Sequence, residues 1–161
     1  LFHGLRREEV AALKVKDVRE LRGVKHLRVH GKGGKLRNVP LHPGTAELIN
    51  GYLELAGHGG DAGGGLFRSI RERTRNGRVR EGLSAEGLYL IVKTWAKSVG
   101  ISAERIAPHA LRATAATNAL DHEADIAKVQ EWLGHANIAT TRIYDRRKLR
   151  PEDSPTFKVN Y

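Results

Sequence analysis

The sequence predicts an α+β fold: a mainly helical domain carrying a small antiparallel sheet. Three observations predict it. Two short apolar runs flank a glycine turn, as in a β-hairpin. Four helix-start signals, Pro43, Ser84, Pro108 and Asp125, each precede a segment of helical character. The 161 residues show no internal repeat and no clear two-domain boundary.

Taken in order, Arg7 to Val15 reads as a helix, with Val10, Leu13 and the small Ala11 and Ala12 on a repeating face. Val24 to His30 reads as a strand through Val24, Leu27 and Val29. Gly31-Lys32-Gly33-Gly34 is a turn, because glycine reaches the positive φ a hairpin needs. Leu36 to Leu41 returns as a second strand that ends near Pro40. Pro43 to Ala56 is helical, with proline in the first turn and Leu48, Ile49, Tyr52, Leu53 and Leu55 as its apolar set. The glycine-dense stretch Gly57 to Gly65 predicts a flexible loop. Residues 68–82, arginine-rich and poor in apolar side chains, read as a loop or an irregular strand pair. Ser84 caps a helix to about Ser98, and Pro108 opens another to about Leu120. Asp125 starts a third that Gly134 ends, and Asn137 caps a last short helix reaching about Tyr144. Beyond Arg147 the pattern is irregular, with Pro151 and Pro155.

Composition narrows the class. Hydrophobic content of 40% and charged content of 29% fit a globular domain and exclude a disordered chain. No run approaches the length of a membrane span, and no basic-then-apolar leader suggests export. The absence of cysteine excludes a disulfide scaffold and Cys-ligated metal sites, and fits a reducing compartment. The chain has no Met and opens on Leu1-Phe2-His3-Gly4, so it is expected to be a fragment of a longer protein.

Charge points to the partner. Lys and Arg number 28 against 18 acids, a net +10. The cations cluster. Leu21 to Ala46 holds no acid but Arg22, Lys25, Arg28, Lys32, Lys35 and Arg37. Six arginines lie between Leu66 and Gly82, and Arg142, Arg146, Arg147, Lys148 and Arg150 surround Asp145. Such clustering predicts a polyanion, above all nucleic acid, because phosphate neutralisation releases counterions. Lys35, Arg37 and Arg142 are the expected DNA contacts outside the reacting centre.

Within this basic frame stands one chemical set. Arg6 lies at a helix start, Lys32 in the glycine turn, and His135 just past a helix-ending glycine. His109 precedes Arg112 by three positions, so imidazole and guanidinium share a helix face. Singly, each residue has an ordinary structural explanation. Together they suit phosphoryl transfer. Two guanidiniums can pin the non-bridging oxygens of a phosphodiester. A histidine can move protons near neutral pH, a lysine can protonate a leaving oxygen, and a tyrosine such as Tyr144 can attack phosphorus. No His-Glu-x-x-His, carboxylate run or Walker-type loop competes.

These residues resemble the catalytic domain of tyrosine recombinases of the phage integrase family. The resemblance rests on Gly4-Leu5-Arg6 with Glu9 behind it, on Gly31-Lys32-Gly33-Gly34-Lys35 leading into Val39-Pro40-Leu41, on Pro108-His109-Ala110-Leu111-Arg112, on Leu133-Gly134-His135, and on Tyr144 nine residues later. It covers about Leu1 to Tyr144. Ala113 stands where many relatives have a second histidine, and His3 where threonine is common.

The resemblance implies a DNA breaking-rejoining fold and a role for each residue. Arg6 and Arg112 would clamp the scissile phosphate. Lys32 would be the general acid for the 5′-oxygen, His109 would take the nucleophile's proton, and His135 would hydrogen-bond a non-bridging oxygen. Tyr144 would form a transient 3′-phosphotyrosine link, with Glu9 supporting the site. No metal, ATP or other cofactor is expected. The implied partners are double-stranded DNA and further copies of the chain in a tetramer, with no membrane and no small-molecule substrate. A cytoplasmic, nucleoid-associated protein of bacterial or phage origin is implied. Residues 1–149 would form the catalytic domain, without the core-binding domain that usually precedes it, and 150–161 a tail exchanged between protomers. A catalytically silent DNA-binding module, a type IB topoisomerase and a helix-turn-helix regulator built from residues 124–144 are the alternatives.

Overall fold

The computed structural model describes residues 2–68, 82–102, 106, 108–146, 154 and 156, and of Lys32 and Pro108 only the backbone. The element order is α1 (Arg7–Ala12), β1 (Val18–Leu21), β2 (Val24–His30), β3 (Leu36–Pro40), α2 (Pro43–Ala56), α3 (Ala85–Ser98), α4 (Pro108–Asp121), α5 (Ile126–Leu133) and α6 (Ile138–Arg142). The strands form one antiparallel sheet in the order β1-β2-β3. The expected mainly helical α+β class is what the chain adopts.

Local signals set most boundaries. Ser84 accepts a hydrogen bond from the Gly87 amide, Asp125 from the Ala127 and Lys128 amides, and Asn137 from the Ala139 amide. Each satisfies donors that a helix start leaves without a partner. Gly57 and Gly134 end α2 and α5 in the left-handed conformation, at φ +66° in both.

Four expectations are corrected. The first helix stops at Ala12 instead of Val15. The segment after it is drawn off by a distant loop: the Val15 and Lys16 amides donate to the Gly64 and Ala62 carbonyls, and the Leu66 amide donates to Leu13. A 3-10 turn at Val15–Asp17 follows, and the buried Asp17 carboxylate takes the Lys14 amide and Arg28 Nε, both at 3.0 Å. Strand β1 has no counterpart among the elements that the sequence predicts. It turns into β2 through Arg22 and Gly23, at φ +51° and +75°, and its residues from Arg19 on are exposed, so it lacks an alternating pattern. The Gly57–Gly65 stretch is not a free loop, since His58 is buried with Nε2 3.1 Å from the Leu66 carbonyl, and Gly65 bridges to Lys14. The last helix also ends earlier, at Arg142, with Tyr144 just beyond it. Residues 69–81 lie outside the described residues, as does all of the tail from 147 on except Ser154 and Thr156.

Two apolar cores result. One joins the sheet to α2 through Leu13, Leu27, Val29, Val39, Leu41, Ile49 and Leu66. The other joins α4 to α5 through Ala116, Leu120, Val129 and Leu133. Trp132 packs against both. Full burial of Leu66, Leu120 and Leu133 contributes about 1.5–3 kcal/mol each. The seam between the cores, where Arg112 on α4 bonds the carbonyls of Gly4 and Leu133, carries the candidate site. Among the described residues, no helix is long and apolar enough to cross a membrane.

Candidate active site

Arg6 precedes α1, and Glu9 reaches back across the first turn to it. One Glu9 oxygen accepts from the Arg6 amide at 2.8 Å, the other from Arg6 Nη1 at 2.9 Å. Arg37 on β3 grips the same carboxylate through Nη1 and Nη2, both at 2.9 Å, and its Nε donates to the Trp132 carbonyl at 3.1 Å. Glu9 is buried. Burial pushes its carboxyl up, but the hydrogen bond from Arg37, with those from Arg6, overturns that and holds it below the usual value.

Arg112, on α4, is buried, at 4% exposure. Its guanidinium donates to the carbonyls of Gly4 and Leu133. It thus ties the segment before α1 to the negative end of the α5 dipole. Gly4 must be glycine there: its φ is +52°, and a Cβ would lie 2.8 Å from Leu133 Cδ2. Burial, then the charge of Arg6, lower the Arg112 pKa to about 10, which leaves it charged at neutral pH. Arg6, His109 and Arg112 line one pocket of about 270 Å³, with Arg7, Glu8 and Tyr89 completing the wall. His109 is exposed at its rim.

His135 follows the left-handed Gly134. Its amide donates to the Gln130 carbonyl at 3.1 Å, and Nδ1 lies 2.9 Å from Thr141 Oγ1. Tyr144 is half-buried, its ring centroid 6.1 Å from that of His135. Burial, then the charges of Arg112, Arg6 and Arg37, push the His135 imidazole down to about 4. The ring is therefore neutral at physiological pH. The unfolded chain, near the ordinary 6.5, binds the extra proton between pH 6.5 and about 4. This stability is fully present above pH 6.5 and lost as pH falls through that window. An NMR titration is expected to show the His135 ring shifts moving at a midpoint near 4, and a midpoint near 6.5 would refute the electrostatic account.

The structure thus brings Arg6, His109 and Arg112 to one pocket and pairs His135 with Tyr144. Tyr144 acts more weakly on the Arg112 charge than do burial and the charges of Arg6, Glu9 and Arg37. Lys32 begins the 3-10 turn Lys32–Gly34 between β2 and β3, and its side chain lies outside the described residues. Lys35 and Arg142 are exposed. Arg37 is not: its side chain is 15% exposed, with Nε, Nη1 and Nη2 all committed to protein oxygens, so it differs from the free DNA contact expected. Sequence reasoning missed Thr141, which orients His135, and Tyr89, which walls the pocket. Thr141 stands three residues before Tyr144, a spacing that places both on one helical face. Among the described residues, no cluster of His, Cys, Asp or Glu could hold a metal ion.

The model of the phage integrase family matches residues 1–149. The chain belongs to the phage integrase family. It is 37% identical over 156 residues to tyrosine recombinase XerD of Listeria monocytogenes strain F2365, a match that covers 93% of this chain and 48% of that protein. It is 36% identical over 143 residues to tyrosine recombinase XerA of Pyrococcus furiosus, covering 89% and 46%. The chain spans about half the length of the relatives it matches. Among solved structures, XerA recombinase superposes with a TM-score of 0.68 at 29% identity, over 91% of this chain and 50% of that one. The XerH site-specific recombinase bound to difH substrate, in a pre-cleavage complex, gives 0.70 at 27% identity, over 98% and 42%.

In this phage integrase family member, Gly134, like Gly4, is constrained both by its backbone and by its neighbours. Its φ is +66°, and a Cβ would meet Arg37 Nη1 at 3.1 Å and Cζ at 3.2 Å. Gly134→Ala is expected to lower stability by about 1–2 kcal/mol from the left-handed backbone alone, read as a shifted urea midpoint at unchanged slope.

Proposed function

We propose that the chain is the catalytic part of a site-specific DNA recombinase. The observation that carries this reading is the shared pocket of Arg6, His109 and Arg112, with the Tyr144 ring 6.1 Å from that of His135. Arg6 and Arg112 hold the two non-bridging oxygens of the scissile phosphodiester. The Tyr144 oxygen attacks phosphorus while His109 accepts its proton. The bond from phosphorus to the 5′-oxygen breaks, and Lys32 protonates that oxygen. The product is a 3′-phosphotyrosine and a free 5′-hydroxyl. Attack by a 5′-hydroxyl, the same strand's or a partner's, reverses the step and releases Tyr144. A Thr141 hydroxyl donating to Nδ1 of the neutral His135 leaves the ring proton on Nε2, where it donates to a non-bridging oxygen.

The XerH structure at 28% identity is a post-cleavage complex with a palindromic difH substrate, which supports DNA as the substrate here. The assembly we propose is a tetramer on two DNA duplexes, with residues 1–149 as the catalytic domain and 150–161 exchanged between neighbours. Deleting residues 150–161 is expected to leave DNA cleavage intact and to abolish DNA-dependent assembly in sedimentation. Assembly at the wild-type level would refute the exchange.

The test of the reaction uses a pool of duplexes of random sequence, each carrying a nick beside the candidate cleavage position, so that the short strand departs after cutting. The wild-type chain is expected to form a denaturant-stable adduct whose DNA, once sequenced, converges on a preferred site. Salt-sensitive binding with no adduct would instead favour the silent DNA-binding module. Relaxation of supercoiled plasmid without sequence preference would favour topoisomerase-like action.

A further inference from the structure

We infer that Arg37 is a positioning residue: one guanidinium on the sheet sets the register of three separate segments that the chemistry needs together. The assignment rests on the function proposed above, which gives those segments their roles. First, Arg37 holds Glu9 by two hydrogen bonds of 2.9 Å, and Glu9 in turn fixes both the backbone amide and Nη1 of Arg6. Second, its Nε takes the Trp132 carbonyl at 3.1 Å, and the guanidinium lies against Gly134, so the chain entering His135 is fixed from the same group. Third, a Cβ on Gly31 would lie 3.4 Å from Arg37 Nη1, which places the base of the Lys32 turn against the same planar fork.

The geometry excludes simpler explanations. A purely electrostatic support for a phosphate would face solvent, whereas this side chain is 15% exposed and its Nε, Nη1 and Nη2 are all spent on protein oxygens. An ion pair kept only for stability would need Glu9 alone, yet the third bond runs to a carbonyl 95 residues away in sequence, beside the glycine that aims His135. A planar guanidinium satisfies a bidentate carboxylate and a third acceptor at once, and the single ammonium of lysine does not. Catalysis is sensitive to such placement: a misplacement of about 1 Å costs about a hundredfold in rate.

The experiment compares Arg37→Gln, Arg37→Lys and the double variant Glu9→Gln/Arg37→Gln with wild type. Glu9→Gln removes the buried carboxylate that Arg37→Gln leaves underpaired, so the double variant separates folding from placement. On the nicked duplex pool at saturating DNA, Arg37→Gln and the double variant are expected to form adduct about a hundredfold more slowly, with Arg37→Lys intermediate. DNA affinity and its salt dependence are expected to match wild type. Weaker binding with the salt slope reduced by about one phosphate contact would make Arg37 a DNA ligand and overturn the assignment. A double variant that recovers both its melting temperature and its cleavage rate would also overturn it. A readout independent of cleavage is the set of Nη–H resonances of Arg6, expected to be resolved in wild type, where Nη1 is bonded to Glu9, and averaged by rotation in both Gln variants. If wild type forms no adduct, the recombinase reading fails on that result. The placement of Arg6 by Arg37 is then judged on the resonances alone, and an unchanged Arg6 signal refutes it.

Discussion

Tyr144→Phe is expected to bind DNA with wild-type affinity and to form no denaturant-stable adduct on the nicked duplex pool. The change deletes one oxygen and keeps the ring, so the contact with His135 and the packing against the α4–α5 core persist. Tyr89 is a second phenol in the described pocket wall, so Tyr89→Phe is a control and should keep the adduct. The loss in Tyr144→Phe should be complete rather than graded, because the proposed step forms a bond to the Tyr144 oxygen. Melting temperature is a second control and should shift little. An adduct from Tyr144→Phe, or equal absence of adduct from both proteins, would contradict the assignment of the nucleophile.

Arg112→Gln is expected to cost both rate and fold. Among the described residues, the guanidinium is the only side-chain donor to the carbonyls of Gly4 and Leu133, and it is buried. Removing it leaves underpaired buried carbonyls, at about 1–3 kcal/mol each. Losing a preorganised charge at the phosphate costs a further factor of about 100–1,000 in the chemical step. The two effects separate experimentally. Urea unfolding reads the first, and single-turnover adduct formation well below the unfolding midpoint reads the second. Arg112→Lys keeps the charge but not the two-pronged geometry, so its cleavage should stay far below wild type. A lysine variant cutting at the wild-type rate would show that charge alone suffices.

Much of this was legible in the sequence because it is local. Caps work within three or four residues, so Ser84, Asp125, Asn137 and Gly134 announce their helices to a reader of the chain alone. The set Arg6, His109, Arg112, His135 and Tyr144 was legible through residue type, order and spacing. What escaped was non-local. The end of α1 depends on pairing with residues 62–66, roughly fifty positions away. Strand β1 depends on a positive φ at Arg22, which no side chain advertises. Arg37 is one basic residue among six in its cluster, and nothing in the linear pattern distinguishes an arginine that faces phosphate from one that faces a buried carboxylate. That distinction is made by folding, when Glu9 and Trp132 arrive from opposite ends of the chain.

The seam between the two cores has a consequence for safety. Arg6 and the Lys32 turn ride on one hydrophobic body, while Arg112, His135 and Tyr144 ride on the other. On the proposed function, a half-folded chain holds half of a phosphate cradle and has no means of cutting DNA. The two bodies act as the two keys of an interlock, and the cutting edge exists only while both are turned.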